Sequence, residues 1–244
     1  MWKTKYEELL NKYNINPEFI EFNDLLKFFL ENKRRVIHKW IHYFEVYDLY
    51  FNKFRNRENS ILEIGVNRGG SLFMWRDYFG ERAKIAGIDI LKGTKILNQE
   101  GFNIFIGSQA DPLFLNIVGE KAGPFDIIID DGSHIMDHQI LTFEELFPFL
   151  AEGGIYLCED CHTSYWDSYG GGYKKKSTFI EYAKNIVDDL NAYHSKNRDE
   201  LKPNYYTKNI EYVHFYDSIV VFKKRKRAIP YNRKSGEIDW RKKE

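Results

Sequence analysis

Cysteine is almost missing from this sequence, and its scarcity removes several chemistries at once. The two present, Cys158 and Cys161, form a lone C-x-x-C. A structural zinc site needs four ligands, and His162 alone does not complete one. A thioredoxin-like redox motif is not supported either, because the intervening residues are the acids Glu159 and Asp160. No stretch of 18 apolar residues occurs, so no transmembrane helix is expected. The opening "MWKTKYEELLNKYN" is too charged for a signal peptide, and a cytoplasmic location is expected. The dinucleotide fingerprint G-x-G-x-x-G and the phosphate loop G-x-x-x-x-G-K-[ST] are both absent, which leaves NAD binding and phosphate cradling without their usual carriers.

Net charge is absent as well, since 36 basic residues balance 36 acidic ones. The balance is uneven: from Lys223 to Glu244 ten Lys/Arg stand against three Asp/Glu, so this end is net +7 and the rest net −7. Such a tail could touch nucleic acid or an anionic membrane surface, but a solvated terminus is the simpler reading. Nucleic acid is not expected as a partner. What the chain has in excess is aromatic residues, 17% of the total, more than a core requires.

At 244 residues the chain suits one large α/β domain with a modest extension. Residues 1–57 read as a helical N-terminal extension packing on the core, 58–224 as the main domain, and 225–244 as the basic tail. In the extension, "VIHKWIHYFEVYDLYFNKF" (Val36 to Phe54) has helical spacing. From Ser60 onward short apolar runs alternate with helical patterns: "SILEIG", "AKIAGIDI", "FNIFIG", "FDIIIDD" and "IYLCED" read as strands. Ile140, Phe143, Phe147 and Leu150 fall on one face of a helix that Gly153-Gly154 breaks. This alternation predicts a doubly wound, mostly parallel sheet with helices on both faces. The final "IEYVHFYDSIVVFKK" predicts two strands around a tight Tyr216-Asp217 turn, an antiparallel hairpin that an ordinary dinucleotide-binding fold does not have.

"LEIGVNRGGS" (Leu62 to Ser71) places Glu63 at the end of the first strand and glycines at 65, 69 and 70 before a helix, where backbone can approach a ligand closely. Asp89, nineteen residues past Gly70, ends the second strand, where an acid can accept hydrogen bonds from ribose hydroxyls. An acid, a glycine loop and a second acid in this order suit a nucleoside with a charged amino-acid arm, as in S-adenosylmethionine (SAM). With the terminal hairpin, the pattern resembles a class I methyltransferase. The resemblance implies a seven-stranded Rossmann-like sheet and an adenine site near "GSQAD", with Gln109 the better candidate there.

Strand four ends in Asp130-Asp131 and strand five in Glu159-Asp160. Neighbouring parallel strands end on one edge, so acids 28 residues apart (159 − 131) meet there. Clustered carboxylates repel unless a cation joins them, and oxygen ligands favour Mg²⁺, Ca²⁺ or Mn²⁺ over zinc. His134, three residues after Asp131, is placed to take a proton near neutral pH. Helix capping by Asp131 and Ser133 is the plainer alternative, but leaves Glu159-Asp160 unexplained. His138 and His162 read as orienting or surface residues, and Asp130 as a supporting group beside the cofactor.

The ordered segments "LEIGVNRGGSLFMW", "GIDI", "IIIDDGSH" and "GGIYLCED" resemble the metal-dependent sugar O-methyltransferases of macrolide biosynthesis. They also resemble rhamnosyl O-methyltransferases and cephalosporin-hydroxylase-like proteins. The resemblance, over roughly residues 36–224, implies Mg²⁺ at Asp131, Glu159 and Asp160, His134 as general base, and Lys39, His42 and Tyr43 as cofactor or substrate contacts. It carries neither an acceptor nor an assembly state across, because the long N-terminal domain of the mycinamicin-type members has no counterpart in this sequence; a homo-oligomer is compatible with it. The expected reaction is SAM- and Mg²⁺-dependent methylation of a sugar hydroxyl on a glycoside, polysaccharide or glycosylated metabolite. A catechol or other small diol is the alternative acceptor. An oxygenase related to cephalosporin hydroxylation is the alternative class, but it has no convincing two-His, one-carboxylate set here. Tyr165, Trp166, Tyr169 and Tyr173, set around three glycines, read as a substrate lid able to stack on a sugar face.

Overall fold

The computed structural model describes residues 2–236. Seven strands form one sheet: β1 (Asn59–Ile64), β2 (Ala83–Asp89), β3 (Asn103–Ile106), β4 (Phe125–Asp130), β5 (Leu150–Cys158), β6 (Ile210–Tyr216) and β7 (Ile219–Lys224). Their order is β3-β2-β1-β4-β5-β7-β6. The first five are parallel, and β7 runs antiparallel to both β5 and β6. The winding reverses between β1 and β4, the position where open α/β sheets leave a crevice for ligands.

Side chains of a strand alternate between the two faces of the sheet, and the core divides accordingly. Ile61, Ile127, Ile129, Ile155 and Leu157 share one buried cluster with the N-terminal segments. Leu62, Ile64, Ile128, Tyr156 and Cys158 belong to a second cluster on the opposite face. After the short α1 (Trp2–Lys12), the first face is covered by α2 (Asp24–Glu31), α3 (Tyr43–Phe51) and α4 (Gly70–Phe79). The second is covered by α5 (Pro112–Ala122), α6 (Met136–Leu146) and α7 (Phe179–Asn191), with α8 (Tyr205–Asn209) leading into the hairpin. Between α3 and α4, Tyr47 stacks on Phe51 and meets Trp75 edge-on at 5.2 Å, all three fully buried. Each such aromatic contributes about 2 kcal/mol by leaving water.

Two expected helices have different limits. The helical spacing from Val36 is realised only from Tyr43; residues 32–42 form a strap without regular secondary structure. Its backbone lies on the start of α4, where a Cβ on Gly70 would come within 2.3 Å of the Val36 carbonyl oxygen. Tertiary contact thus overrides local propensity. The helix expected to reach Leu150 stops at Leu146, because Pro148 cannot supply the next helical N–H. Leu150 already belongs to β5, and Gly153-Gly154 lies inside that strand at a register shift rather than ending a helix. The hairpin turn is Asp217-Ser218, one residue later than expected. The tail begins in contact with the fold: the Arg225 and Arg227 N–H groups donate to the carbonyls of Asn209 and Lys208. The expected tail's residues 237–244 lie outside the described residues. No helix among the described residues is long and apolar enough to cross a membrane.

Candidate functional site

At the carboxyl ends of β1, β2 and β4 a cavity of about 470 Å³ opens, lined by Gly65, Asn67, Asp89, Gln109 and the acids beyond β4 and β5. Asp89 is fixed on its wall: one carboxylate oxygen accepts the Asn67 N–H at 2.6 Å, the other the Leu91 N–H at 2.7 Å. Gln109 is clamped, its Oε1 accepting the Ser133 N–H and its Nε2 donating to Thr142 Oγ1 at 3.0 Å. Gly65 has φ +91°, and a Cβ there would lie 1.9 Å from the Asp131 carbonyl oxygen. The glycine loop therefore presses against the end of β4, a backbone approach that a side chain at position 65 would prevent.

Strand alternation separates the two acids at the end of β4. Asp130 pairs in register with Ile64 and Cys158 and faces the second core. It is fully buried, accepts from Tyr156 OH at 3.0 Å and Gln109 Nε2 at 3.3 Å, and burial pushes its carboxyl up to about 7. It therefore supports Gln109 from beneath and does not join the cavity wall. Asp131, one residue on, takes the opposite side, which the strap covers. The Asp131 N–H donates to Ile64 O at 3.0 Å and the Glu159 N–H to Asp130 O at 2.9 Å, bringing the two strand ends together.

Into this corner the strap delivers Lys39, whose side chain is 2% exposed. Its ammonium donates to Asp131 Oδ2 at 2.5 Å and to Glu159 Oε2 at 2.7 Å. Burial pulls this ammonium down, but Asp131, Glu159 and Glu63 outweigh it and hold the group above the ordinary lysine range. Burial raises the carboxyls of Asp131 and Glu159, and Lys39 opposes both shifts. Tyr43 OH donates to Asp160 Oδ1 at 2.7 Å. His134 Nε2 lies 3.4 Å from Asp160 Oδ2 and 3.8 Å from Asp131 Oδ1.

His134 and Asp160 both adopt left-handed backbone conformations, φ +58° and +52°, a region that costs most residues with a Cβ about 1–2 kcal/mol and that Asp and His enter more readily than others. Thr163 Oγ1 holds the two together, 3.0 Å from the His134 carbonyl and 2.9 Å from that of Asp160. Such conformations persist only where the surroundings fix them, and they cluster at functional sites.

Asp131, His134 and Asp160 each offer a ligand atom, and these atoms lie within 4.8 Å of one another. Glu159, expected beside them, instead pairs with Lys39. Tyr47 is near enough to act on its carboxyl, yet Glu159 Oε1 and the Tyr47 hydroxyl are buried without a hydrogen-bond partner of acceptable geometry. Two carboxylate oxygens and an imidazole nitrogen fit a hard divalent cation. The capping alternative does not hold: α6 begins at Met136 after Ile135, with no side-chain cap.

Glu63 also lies beneath the cavity rather than on its wall. It accepts from Ser71 Oγ at 2.7 Å and Trp75 Nε1 at 3.1 Å. Burial raises its carboxyl to about 7, against the pull of Lys39 and with the push of Asp131. Between its ordinary 4.5 and about 7, native Glu63 keeps a proton that the unfolded chain has lost. Glu63 therefore contributes about 3 kcal/mol of stability that is lost as pH rises through that window. Glu63→Gln, which can accept from Trp75 and donate to Ser71, is expected to lessen the pH dependence in urea unfolding at pH 5 and pH 7, with Asp130 keeping its own share. An unchanged slope would place the titration elsewhere.

Other expected residues stand apart. Gly69 caps α4 in a left-handed conformation without lining the cavity. His42 turns outward, its Nε2 3.2 Å from the Asp217 carbonyl. The lid aromatics do not line the cavity. Their loop folds into two 3₁₀ turns, Cys161–Tyr165 and Asp167–Tyr169, because the Gly171 and Gly172 N–H groups donate back to Trp166 O and Ser164 O. Trp166 packs on His162 at 4.6 Å, while Tyr165 and Tyr173 are exposed. Sequence reasoning missed His38 and Asn67 on the cavity wall. The signal for Asn67 was its place inside the glycine loop.

No family model matches the chain. Demethylmacrocin O-methyltransferase of Streptomyces fradiae is 35% identical over 199 residues, covering 76% of this chain and 50% of that protein. The 8-demethyl-8-alpha-L-rhamnosyl tetracenomycin-C 2'-O-methyltransferase of Streptomyces olivaceus is 35% identical over 199 residues, 77% of this chain and 52% of that one. The chain spans about half the length of these curated relatives. Among solved structures, MycE methyltransferase from the mycinamycin biosynthetic pathway, in complex with Mg and SAH, superposes with a TM-score of 0.71 at 30% identity. That match covers 90% of this chain and 54% of MycE.

Proposed function

Because this chain has the class I methyltransferase fold and is homologous to sugar O-methyltransferases of the macrolide and tetracenomycin type, we propose that it methylates a sugar hydroxyl with SAM and Mg²⁺. The observation that carries the reading is the Asp131, His134 and Asp160 set at the edge of a cavity whose far wall bears Asp89. When bound, SAM supplies the methyl group and Mg²⁺ acidifies and orients the acceptor hydroxyl.

The chain's own residues do the rest. Asp89, its carboxylate held by two backbone N–H groups, accepts from the ribose hydroxyls. Gly65 and Asn67 let the loop follow the amino-acid arm. Asp131 and Asp160 hold the cation, with Glu159 behind them. His134 Nε2, turned toward these carboxylates, accepts the proton that the acceptor hydroxyl loses. Trp166 and Trp40, half-exposed on either side of His162, offer apolar faces to a sugar ring.

The test is calorimetric titration with S-adenosylhomocysteine, followed by methyl transfer from SAM to a panel of glycosides and catechols with Mg²⁺ or EDTA. Cofactor binding with metal-dependent turnover of glycosides is expected. Turnover confined to catechols would sink the sugar assignment, and no cofactor binding would overturn the reading altogether.

A further inference from the structure

Three carboxylates meet at Asp131, Glu159 and Asp160, and protein donors engage one oxygen of each. Lys39 Nζ takes Asp131 Oδ2 and Glu159 Oε2, and Tyr43 OH takes Asp160 Oδ1. The remaining oxygens divide accordingly: Asp131 Oδ1 and Asp160 Oδ2 face His134 Nε2, and Glu159 Oε1 is buried without a partner. With all three acids ionised, as ligands to a cation would be, Lys39 brings the four groups to −2, the charge one divalent cation neutralises; without it they sum to −3.

Lys39 is not a surface lysine that happens to reach inward. Its side chain is 2% exposed, and its ammonium lies 5.9 Å from the ring of buried Tyr47. The strap carrying it is pinned on both sides of Arg35, by Asn32 Nδ2 donating to the Arg35 carbonyl at 2.8 Å and by the close seat of Val36 on Gly70.

Resting on the metal reading above, we propose that Lys39 is a built-in second cation. Its ammonium stands where a dinuclear site would carry another metal, it turns one oxygen of Asp131 toward the ligand set, and it restrains the affinity of the site for the one divalent ion it accepts. Lys39 is thus a positioning residue. Its removal frees negative charge within a few ångströms of the bound ion, an interaction worth about tenfold or more in affinity at an intermediate effective dielectric.

Mn²⁺ is the probe, with binding followed by electron paramagnetic resonance and melting temperature recorded in EDTA and in saturating Mn²⁺. Wild type is expected to bind one Mn²⁺. Lys39→Met should melt lower in EDTA, bind Mn²⁺ about tenfold or more tightly, and gain more from saturating Mn²⁺ than wild type does, as linkage requires. Lys39→Arg, which keeps the charge, should stay near the wild-type affinity. If Lys39→Met does not fold in EDTA, Lys39→Gln carries the same comparison, because it bonds to the carboxylates without the charge. Equal or weaker Mn²⁺ binding by the neutral variants overturns the inference alone, including the case where they lose only S-adenosylhomocysteine. No Mn²⁺ bound by wild type or variants overturns the metal reading and this inference with it.

Discussion

Asp160→Asn is expected to lose divalent-cation binding by at least about a hundredfold and methyl transfer by about 10²–10³-fold, while S-adenosylhomocysteine still binds. The choice of asparagine matters. Asp160 has φ +52°, and asparagine is one of the few side chains that visits this region at little cost. The amide can still accept from Tyr43 OH, which donates at 2.7 Å in the native site. What is lost is the charge on Oδ2, which faces His134 Nε2 at 3.4 Å. Alanine at the same position would mix backbone strain with ligand loss. Mn²⁺ titration beside turnover at saturating SAM measures both effects. Wild-type cation affinity in Asp160→Asn would remove Asp160 from the ligand set.

His134→Asn is the second large effect, about 10²–10⁴-fold in turnover if the imidazole takes the acceptor's proton. Asparagine again suits the local backbone, φ +58°. The variant also separates two roles that the geometry brings close together, because His134 Nε2 lies near enough to both carboxylates to serve as a ligand. As a base, His134 should disappear from the pH–rate profile, which loses its acid limb, while Mn²⁺ affinity stays within a few-fold of wild type. As a ligand, its loss should weaken Mn²⁺ binding and turnover in parallel. His134 Nδ1 is buried with no partner, so no second-sphere acid is left stranded by the change.

The sheet was legible because its signals are local and repeated. Short apolar runs such as Ile127 to Ile129 end in acids, and the alternation of these runs with helical patterns specifies parallel strands whose ends share an edge. That logic brought Asp131, Glu159 and Asp160 together although they are distant in sequence. What sequence spacing did not reveal was the sense in which consecutive side chains face. Asp130 and Asp131 look equivalent on paper, yet one contacts Tyr156 in the second core and the other contacts Lys39 beneath the strap.

The strap was the least legible segment. The periodicity of Val36 to Phe54 favours a helix throughout, and only contact with α4 and the pull of two carboxylates on Lys39 explain why the first seven of these residues do not adopt one. The aromatic loop was hard to read for a similar reason. Its glycines suggested freedom, whereas two of their N–H groups close hydrogen bonds that fold the loop against itself.

The separation between Lys39 and its partners has a consequence for how the molecule is made. Lys39 precedes Asp131 by 92 residues and Glu159 by 120. At about 5–20 residues per second, the ribosome adds Glu159 roughly 6–24 seconds after Lys39. For the first 92 of those 120 residues the strap has neither acid to meet, and until β5 is made nothing holds Glu159 beside Asp131. The charged corner therefore closes late in biogenesis, and a nascent chain stalled before β5 would carry a lysine with only one of its two acids, Asp131, to meet.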